Sequence, residues 1–325
     1  MHKVIGIGNA LVDIMTSLDD DRLLIDLHLP KGSMQLVDLD TSNHVLGASA
    51  HLPRSVTAGG SASNTIYGLA RLGVEAAFIG KIGNDEYGRA YADDLALNRI
   101  LPKLMVSLTH SGRAVALISA DSERTFATHL GAALELIAED LLENHFTGFH
   151  ILHIEGYLVQ NYPLITRAVE LARKAGLLIS IDLASYNVVD EHRNFLEKLL
   201  SEQVDIIFAN EEEAKAFTGM DPYRALEILG DLADYAIVKT GPNGSLVKSK
   251  NQVFHIDAIP AHCIDTTGAG DLYASGFLYG LVNGCSPENC GKIGSILAGN
   301  IIEVVGARMD DHRWAKIMDQ VSLLL

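Results

Sequence analysis

Residues 149–181 read FHILHIEGYLVQNYPLITRAVELARKAGLLISI: an apolar run from Phe149 to Ile154, a helical pattern from Pro163 to Ala175, and a second apolar run from Leu177 to Ile181. The same strand-then-helix order precedes it, at Ala76 to Ile79 with Tyr87 to Leu97. It continues after it, with a helix near Arg193 to Leu200, a strand from Val204 to Phe208, a helix from Glu211 and a strand from Tyr235 to Val238. Such repetition predicts an α/β chain with a mostly parallel sheet covered by helices on both faces. Ligands then belong at the carboxyl ends of the strands. Two stretches, roughly 14–57 and 103–130, break the rhythm with short, alternating, more polar segments such as Met34 to Val37 and Ala114 to Ile118. They predict a small β-sheet lid, discontinuous in sequence, within one domain spanning 1–325. Helices are expected from about Gly268 to Asn283, Pro287 to Val305 and Asp311 to Met318, with Gly284 and Gly306 as stop signals.

The chain has 325 residues, 48% of them hydrophobic, enough to bury a substantial core. Its 41 acidic and 25 basic side chains give a formal net charge of -16, which opposes attraction to nucleic acid or to anionic membranes. An anionic ligand must therefore be met locally, by a few basic side chains or backbone amides. Cys263, Cys285 and Cys290 form neither a disulfide framework nor a zinc pair, in keeping with a cytoplasmic protein. The sequence enters a strand pattern at once, without a leader-like segment, and no apolar run approaches the roughly 18 residues of a membrane span.

The segment Asp265-Thr266-Thr267-Gly268-Ala269-Gly270-Asp271 runs directly into a helix-like apolar stretch from Leu272 to Leu278. Small residues at Gly268, Ala269 and Gly270 let backbone N–H groups converge at the positive end of that helix, a cradle for a phosphate or a developing oxyanion. Asp271 falls in the first helical turn, where its charged form is favoured and it is expected to be a weak base at neutral pH. A weak base suffices for phosphoryl transfer, whose loose transition state asks the residue mainly to orient the hydroxyl and take its proton late. Read alone, the segment is equally a tight turn before a helix with an acidic start.

A second glycine-rich stretch, Ala58 to Asn64, precedes another helix. Gly59 and Gly60 permit close approach of a ligand, and Asn64 offers a donor and an acceptor to a hydroxyl; the plain alternative is a turn between lid and core. Gly8 to Asp13 is read as ending the first strand, which puts the Asp13 carboxylate at the ligand edge of the sheet and suits recognition of vicinal hydroxyls, or Asp13 is a simple turn aspartate. Asn210 and Glu213 stand three apart on one helix face and could hold the water shell of Mg²⁺ and a phosphate, although Glu211 to Glu213 equally make a solvated helix start. Val238 to Gly244, containing Lys239, Gly241 and Gly244, leads from a strand into a Pro-Asn-Gly turn that a nucleotide could use. No G-x-x-x-x-G-K-[ST] loop, dinucleotide fingerprint or protein-kinase motif occurs. His150, His153 and Glu155 do not share one strand face, which disfavours a metal site there.

The order Gly-Gly-x-x-x-Asn at 59–64, Asn-x-x-Glu at 210–213 and Asp-Thr-x-Gly-Ala-Gly-Asp at 265–271 resembles the ribokinase family of carbohydrate and nucleoside kinases, over nearly the whole chain. The resemblance implies a three-layer core with a mostly parallel sheet and a small β-sheet lid, ATP as donor, Mg²⁺, and a small-molecule acceptor. It makes Asp271 the general base and the amides of Gly268, Ala269 and Gly270 the anion hole. Asn210 and Glu213 would organise phosphate and Mg²⁺, Lys239, Gly241 and Gly244 would bind the nucleotide, and Asp13, Gly59, Gly60 and Asn64 would contact the acceptor. Asp265 matches a position that lies beside a monovalent cation in some members, leaving dependence on K⁺ open.

Gly8 to Ile14, Phe208 to Ala214 and Gly294 to Asn300 are similar to the nucleoside branch, which adds Asn300 to the nucleotide-binding residues. In the lid segment Ser122 to Phe126, Arg124 could reach the transferring phosphate and Phe126 could line a base pocket, or the segment is an ordinary hairpin. The function so implied is phosphorylation of the 5'-hydroxyl of a ribonucleoside, adenosine foremost, by a monomer or homodimer. The alternatives are a sugar kinase acting on ribose, fructose or a related ketose, and a catalytically silent nucleoside or sugar sensor.

Overall fold

In the computed structural model, which describes residues 3–121 and 123–325, the chain forms fourteen strands in two sheets. The strands are β1 (Lys3–Ile7), β2 (Leu11–Ser17), β3 (Met34–Leu36), β4 (Arg54–Gly59), β5 (Glu75–Gly83), β6 (Ile100–Ser107), β7 (Gly112–Ile118), β8 (Arg124–His129), β9 (Ile151–Glu155), β10 (Leu178–Asp182), β11 (Ile206–Asn210), β12 (Tyr235–Lys239), β13 (Ser245–Ser249) and β14 (Gln252–Ile256). The large sheet has the order β14-β13-β12-β11-β10-β9-β1-β5-β6. It is parallel from β12 to β6, with β13 and β14 added antiparallel.

Its strands are apolar on both faces because both are covered. On β11, Ile206 and Phe208 face one hydrophobic layer while Ile207 and Ala209 face the other. Helices Ser61–Arg71, Ala269–Val282 and Pro287–Ile301 pack in the first layer, and Tyr162–Lys174 and Arg193–Gln203 in the second. The chain order reverses at β1, which lies between β9 and β5, and in an open parallel sheet such a reversal leaves a crevice at the carboxyl ends. Polar residues collect there: Glu155, Asp182, Asn210 and Lys239 are the last residues of β9, β10, β11 and β12.

The small sheet has the order β3-β8-β7-β2-β4. Val12, Ile14, Val115, Leu117 and Ala127 on one face pack with Val45, Leu46 and Tyr91. The opposite face carries Asp13, Met15, Ala116, Ile118, Arg124 and Phe126, as the register requires.

Three expectations need correction. The second lid segment does not begin at residue 103: β6 pairs with β5 at the edge of the large sheet, and only from Gly112 does the chain join the small one. The polar alternation there is that of an edge strand, where Pro102 is tolerated because an edge needs no ladder donor. The first lid segment runs wider than 14–57, from Leu11 to Gly59. The helix expected to reach Val305 stops at Ile301, and Ile302 to Met309 form a loop that enters the site.

His153 is fully buried with Nδ1 3.0 Å from Ser180 Oγ, and burial pushes its pKa down to about 4. Among the described residues no group of three or more His, Cys, Asp and Glu side chains is placed to hold a metal ion, and no helix is long and apolar enough to cross a membrane.

Candidate active site

Helix Ala269–Val282 starts from Gly268, whose φ of 75° is in the left-handed region that favours glycine, with no side-chain cap. The Ala269 amide donates to the Thr266 carbonyl at 3.1 Å. Among the described residues the amides of Gly268, Gly270 and Asp271 find no acceptor, so the cradle consists of these three and Ala269 serves the turn. A cation backs it: a Cβ added to Gly270 would lie 3.0 Å from Lys239 Nζ. Lys239 donates to Asp182 Oδ2 at 2.6 Å, so the charge is held in place at the ends of β12 and β10.

Asp271, one turn into the helix, accepts from Ser61 Oγ at 2.7 Å and from Asn64 Nδ2 at 3.0 Å. Burial nevertheless pushes its carboxyl up to about 6, against those two hydrogen bonds, with the nearby Asp182 charge raising it further and Lys239 lowering it. The expectation of a lowered pKa is therefore reversed, because desolvation outweighs the helix terminus. Asp271 is ionised at neutral pH yet basic enough to accept a hydroxyl proton.

Asp13 does not end the first strand of the large sheet, because the chain has already crossed into β2 of the small sheet, where Asp13 lies against Gly59 on β4; a Cβ at Gly59 would stand 2.3 Å from the carboxylate, so only glycine leaves room. Among the described residues no donor reaches the Asp13 carboxylate. Burial raises it to about 6, Arg308 lowers it and Asp271 raises it. Gly60 caps helix Ser61–Arg71 and carries the chain from Gly59, beside Asp13, toward Asn64. Asp13, Asn64 and Asp271 thus gather beside the cradle, Asn64 bonded to Asp271 and the two carboxylates close enough to raise the pKa of Asp13.

On the other side of the cradle lies a cavity of about 460 Å³, lined mainly by small and apolar residues including Gly241, Gly244, Ala258, Ile259, Ala298 and Gly299. It adjoins a polar one of about 360 Å³ lined by Asn210, Glu211, Glu212, Lys239, Gly241 and Gly270. A slot with apolar walls opening onto the Lys239 cation, amides and carboxylates suits a flat heterocycle carrying a polyphosphate. The family model of the pfkB family carbohydrate kinases matches residues 40–313. The chain belongs to that family.

This kinase has a ribokinase-like fold and acts on a small-molecule acceptor. It is similar to the adenosine kinase from Sinorhizobium meliloti, with 32% identity and a TM-score of 0.87 over 98% of this chain and 99% of that one. A probable sugar kinase from Rhizobium etli CFN 42 is 31% identical, with a TM-score of 0.88 over 99% of both chains. The 5-dehydro-2-deoxygluconokinase of Listeria monocytogenes serotype 4a (strain HCC23) is 31% identical over 264 residues, 75% of this chain and 80% of that protein.

Not every expected residue of the kinase reaches the site as foreseen. Glu213 is buried and turned back on Asn210, receiving Asn210 N at 2.8 Å and Nδ2 at 2.7 Å in a reciprocal helix cap, so Glu211 and Glu212 are the carboxylates that face the polar cavity. Burial pushes Glu213 up to about 7. Asn300 donates to Ile296 O at 2.9 Å within its own helix, and its neighbours Ala298 and Gly299 line the cavity in its place.

Asp265 does not fit a monovalent-cation role through its carboxylate. Arg124 pairs with it, and the amides of Thr267 (2.7 Å) and Gly306 (2.5 Å) take further lone pairs. Arg124 also donates to Thr267 Oγ1, which ties the small sheet to the cradle loop. Phe126 packs with Met15, Ala116 and Ile118 on the site-facing side of that sheet. Ser122, the first residue of the expected lid motif, lies outside the described residues.

Sequence reasoning missed Asp182, Ser61, Arg308 and the buried pair Asn9–Glu155. Glu155 takes Asn9 Nδ2 at 2.6 Å and the Ala62 amide at 3.2 Å, and burial pushes it up to about 7. Asp182 and Glu155 carried a readable signal, since each is the polar residue that ends an apolar strand.

Proposed function

We propose that this kinase transfers the γ-phosphoryl group of ATP to the 5'-hydroxyl of a ribonucleoside, with adenosine the first acceptor to test. The observation that carries this reading is the composition of one sheet face. Asp13, which meets hydroxyls, shares its side of the small sheet with Met15, Ala116, Ile118 and Phe126, and the register adds Met34 and Leu36. A polar spot beside an apolar face that keeps Met34, Leu36 and part of Phe126 accessible matches a ribose joined to a flat base, whereas a free sugar presents hydroxyls all round.

In this reading the ribose hydroxyls bind Asp13 and Asn64, and Asp271 orients the 5'-hydroxyl and takes its proton as the new P–O bond forms and the bond from the γ-phosphorus to the bridging oxygen breaks, releasing ADP. The amides of Gly268, Gly270 and Asp271, with Lys239, stabilise the charge on the migrating group. Closing the small sheet over the acceptor limits attack by water. Mg²⁺ fits the polar cavity, where Glu211, Glu212 and Asn210 offer the oxygen donors a hard cation takes with its waters, and there it would neutralise phosphate charge.

The sugar kinases among its relatives support a second reading, a ketose or related sugar as acceptor. ADP release with a panel of adenosine, other nucleosides, ribose, fructose and further ketoses separates the two. The nucleoside reading expects adenosine to have the highest kcat/KM, and Phe126→Ala to raise its KM roughly tenfold through lost ring contact. A ketose with the highest kcat/KM, unaffected by Phe126→Ala, overturns it. Binding of a nucleoside with no ADP formed would point instead to a silent sensor. For either acceptor class, Gly59→Ala drives the Asp13 carboxylate aside and is expected to raise the acceptor KM roughly 10- to 100-fold, with the KM for ATP unchanged.

A further inference from the structure

The loop that follows helix Pro287–Ile301 touches both halves of the site within three residues. Gly306 donates its amide to Asp265, and Ala307 Cβ lies 2.9 Å from where a Cβ on Gly268 would be, so this part of the loop rests on the phosphate cradle. The next residue, Arg308, reaches the acceptor side. Its Nη1 donates to Asn64 Oδ1 at 2.8 Å, its Nη2 donates to the Ala58 carbonyl, and Asp94 Oδ2 stands 3.5 Å from Nη2. The guanidinium lies 4.1 Å from the centre of the Tyr67 ring, whose hydroxyl receives Trp314 Nε1 at 3.2 Å. Held on several sides, Arg308 has little freedom to turn.

This has a consequence for Asn64, whose side-chain amide has one accepting end and one donating end. Arg308 can only donate, so it selects Oδ1 and forces Nδ2 toward Asp271 Oδ2. The flipped amide would set its NH₂ against a guanidinium and its oxygen against a carboxylate, two repulsions in place of two hydrogen bonds. We propose that Arg308 is a positioning residue, which fixes the Asn64 amide and thereby aligns the Asp271 carboxylate on the acceptor hydroxyl. The proposal rests on the reading of Asp271 as the base. Through it, the loop that braces the phosphate cradle also sets the geometry of the proton acceptor.

The test is a double-mutant cycle of Arg308→Gln and Asn64→Ala, read as kcat and KM with the best acceptor of the panel, alongside melting temperatures. Arg308→Gln is expected to lower kcat roughly 10- to 100-fold, the scale on which a misplaced group loses rate. In the Asn64→Ala background the same change is expected to cost less than about threefold, since the residue through which it acts is gone. Arg308→Lys keeps the charge but cannot span both Asn64 and Ala58, and should recover part of the loss. If Arg308→Gln does not fold, Arg308→Lys in the two backgrounds completes the cycle.

Losses that multiply across the cycle, or a fall in melting temperature with kcat intact, overturn the proposal. The outcome is distinct from failure of the functional reading. A sugar as best acceptor changes only the substrate used in the cycle, while full turnover by Asp271→Asn would remove the base itself.

Discussion

Asp271→Asn is expected to lower acceptor-dependent turnover by about 10²- to 10⁴-fold, the range that a positioned general base supplies, while leaving the KM for ATP within a few-fold of the parent. The side chain keeps its shape and its neighbours Ser61 and Asn64, so the loss reports the proton acceptor and not the pocket. Because burial raises this carboxyl to about 6, kcat of the parent should fall as pH drops through that value, where the base becomes protonated. The same shift has a consequence for stability. Below the unfolded-state value of 3.8 the group is protonated in both states and its burial is harmless. As pH rises past about 6 the native protein must hold a buried carboxylate, and stability on the order of 3 kcal/mol is lost. The asparagine variant escapes that loss. It is expected to melt several degrees above the parent at pH 7.5, with the advantage gone near pH 4, and melting curves at the two pH values check both signs. Unchanged turnover, or an advantage that grows at low pH, would contradict the assignment.

Lys239→Met is expected to be the most damaging single change outside the hydrophobic layers. Burial pulls the Lys239 pKa down, but the charges of Asp182, Glu213 and Asp271 outweigh it and leave the ammonium raised above its ordinary value. The methionine fills the same space and removes the charge around which these carboxylates gather. An uncompensated buried charge costs about 3–5 kcal/mol, enough at roughly 2–4 °C per kcal/mol to lower the melting temperature by on the order of 10 °C. The cation beside Gly270 disappears with it, so the KM for ATP should rise and kcat should fall. A variant that melts within a degree or two of the parent and binds ATP normally would show that Lys239 is neither the electrostatic centre of the strand ends nor a phosphate contact. Calorimetry and ATP titration of the folded fraction decide it.

Much of the fold was legible because the central strands are buried on both faces and therefore read as continuous apolar runs between helical patterns. The cradle was legible because glycines and an aspartate stand directly before an apolar helix. Other features were hidden for physical reasons. The edge strand β6 has the mixed polarity of the small sheet, so the lid boundary was misplaced. Glu213 looked like a ligand to the water shell of a metal, yet the same three-residue spacing from Asn210 makes a helix cap, and the cap is what forms. The raised pKa of Asp271 depends on how many elements close around it, which local spacing does not reveal. Arg308 lies 244 positions from Asn64, and no periodicity links a loop arginine to an asparagine on another helix.

The central claim is that helix Ala269–Val282 receives the terminal phosphate on its first amides and presents Asp271 to the acceptor. The most direct measurement is a crystal structure with a non-hydrolysable ATP analogue and the acceptor bound together. The predicted result places a terminal-phosphate oxygen about 2.7–3.2 Å from the Gly268, Gly270 or Asp271 amide, and the acceptor hydroxyl within the same range of the Asp271 carboxylate. A terminal phosphate bound elsewhere, with the acceptor hydroxyl turned away from Asp271, would contradict it.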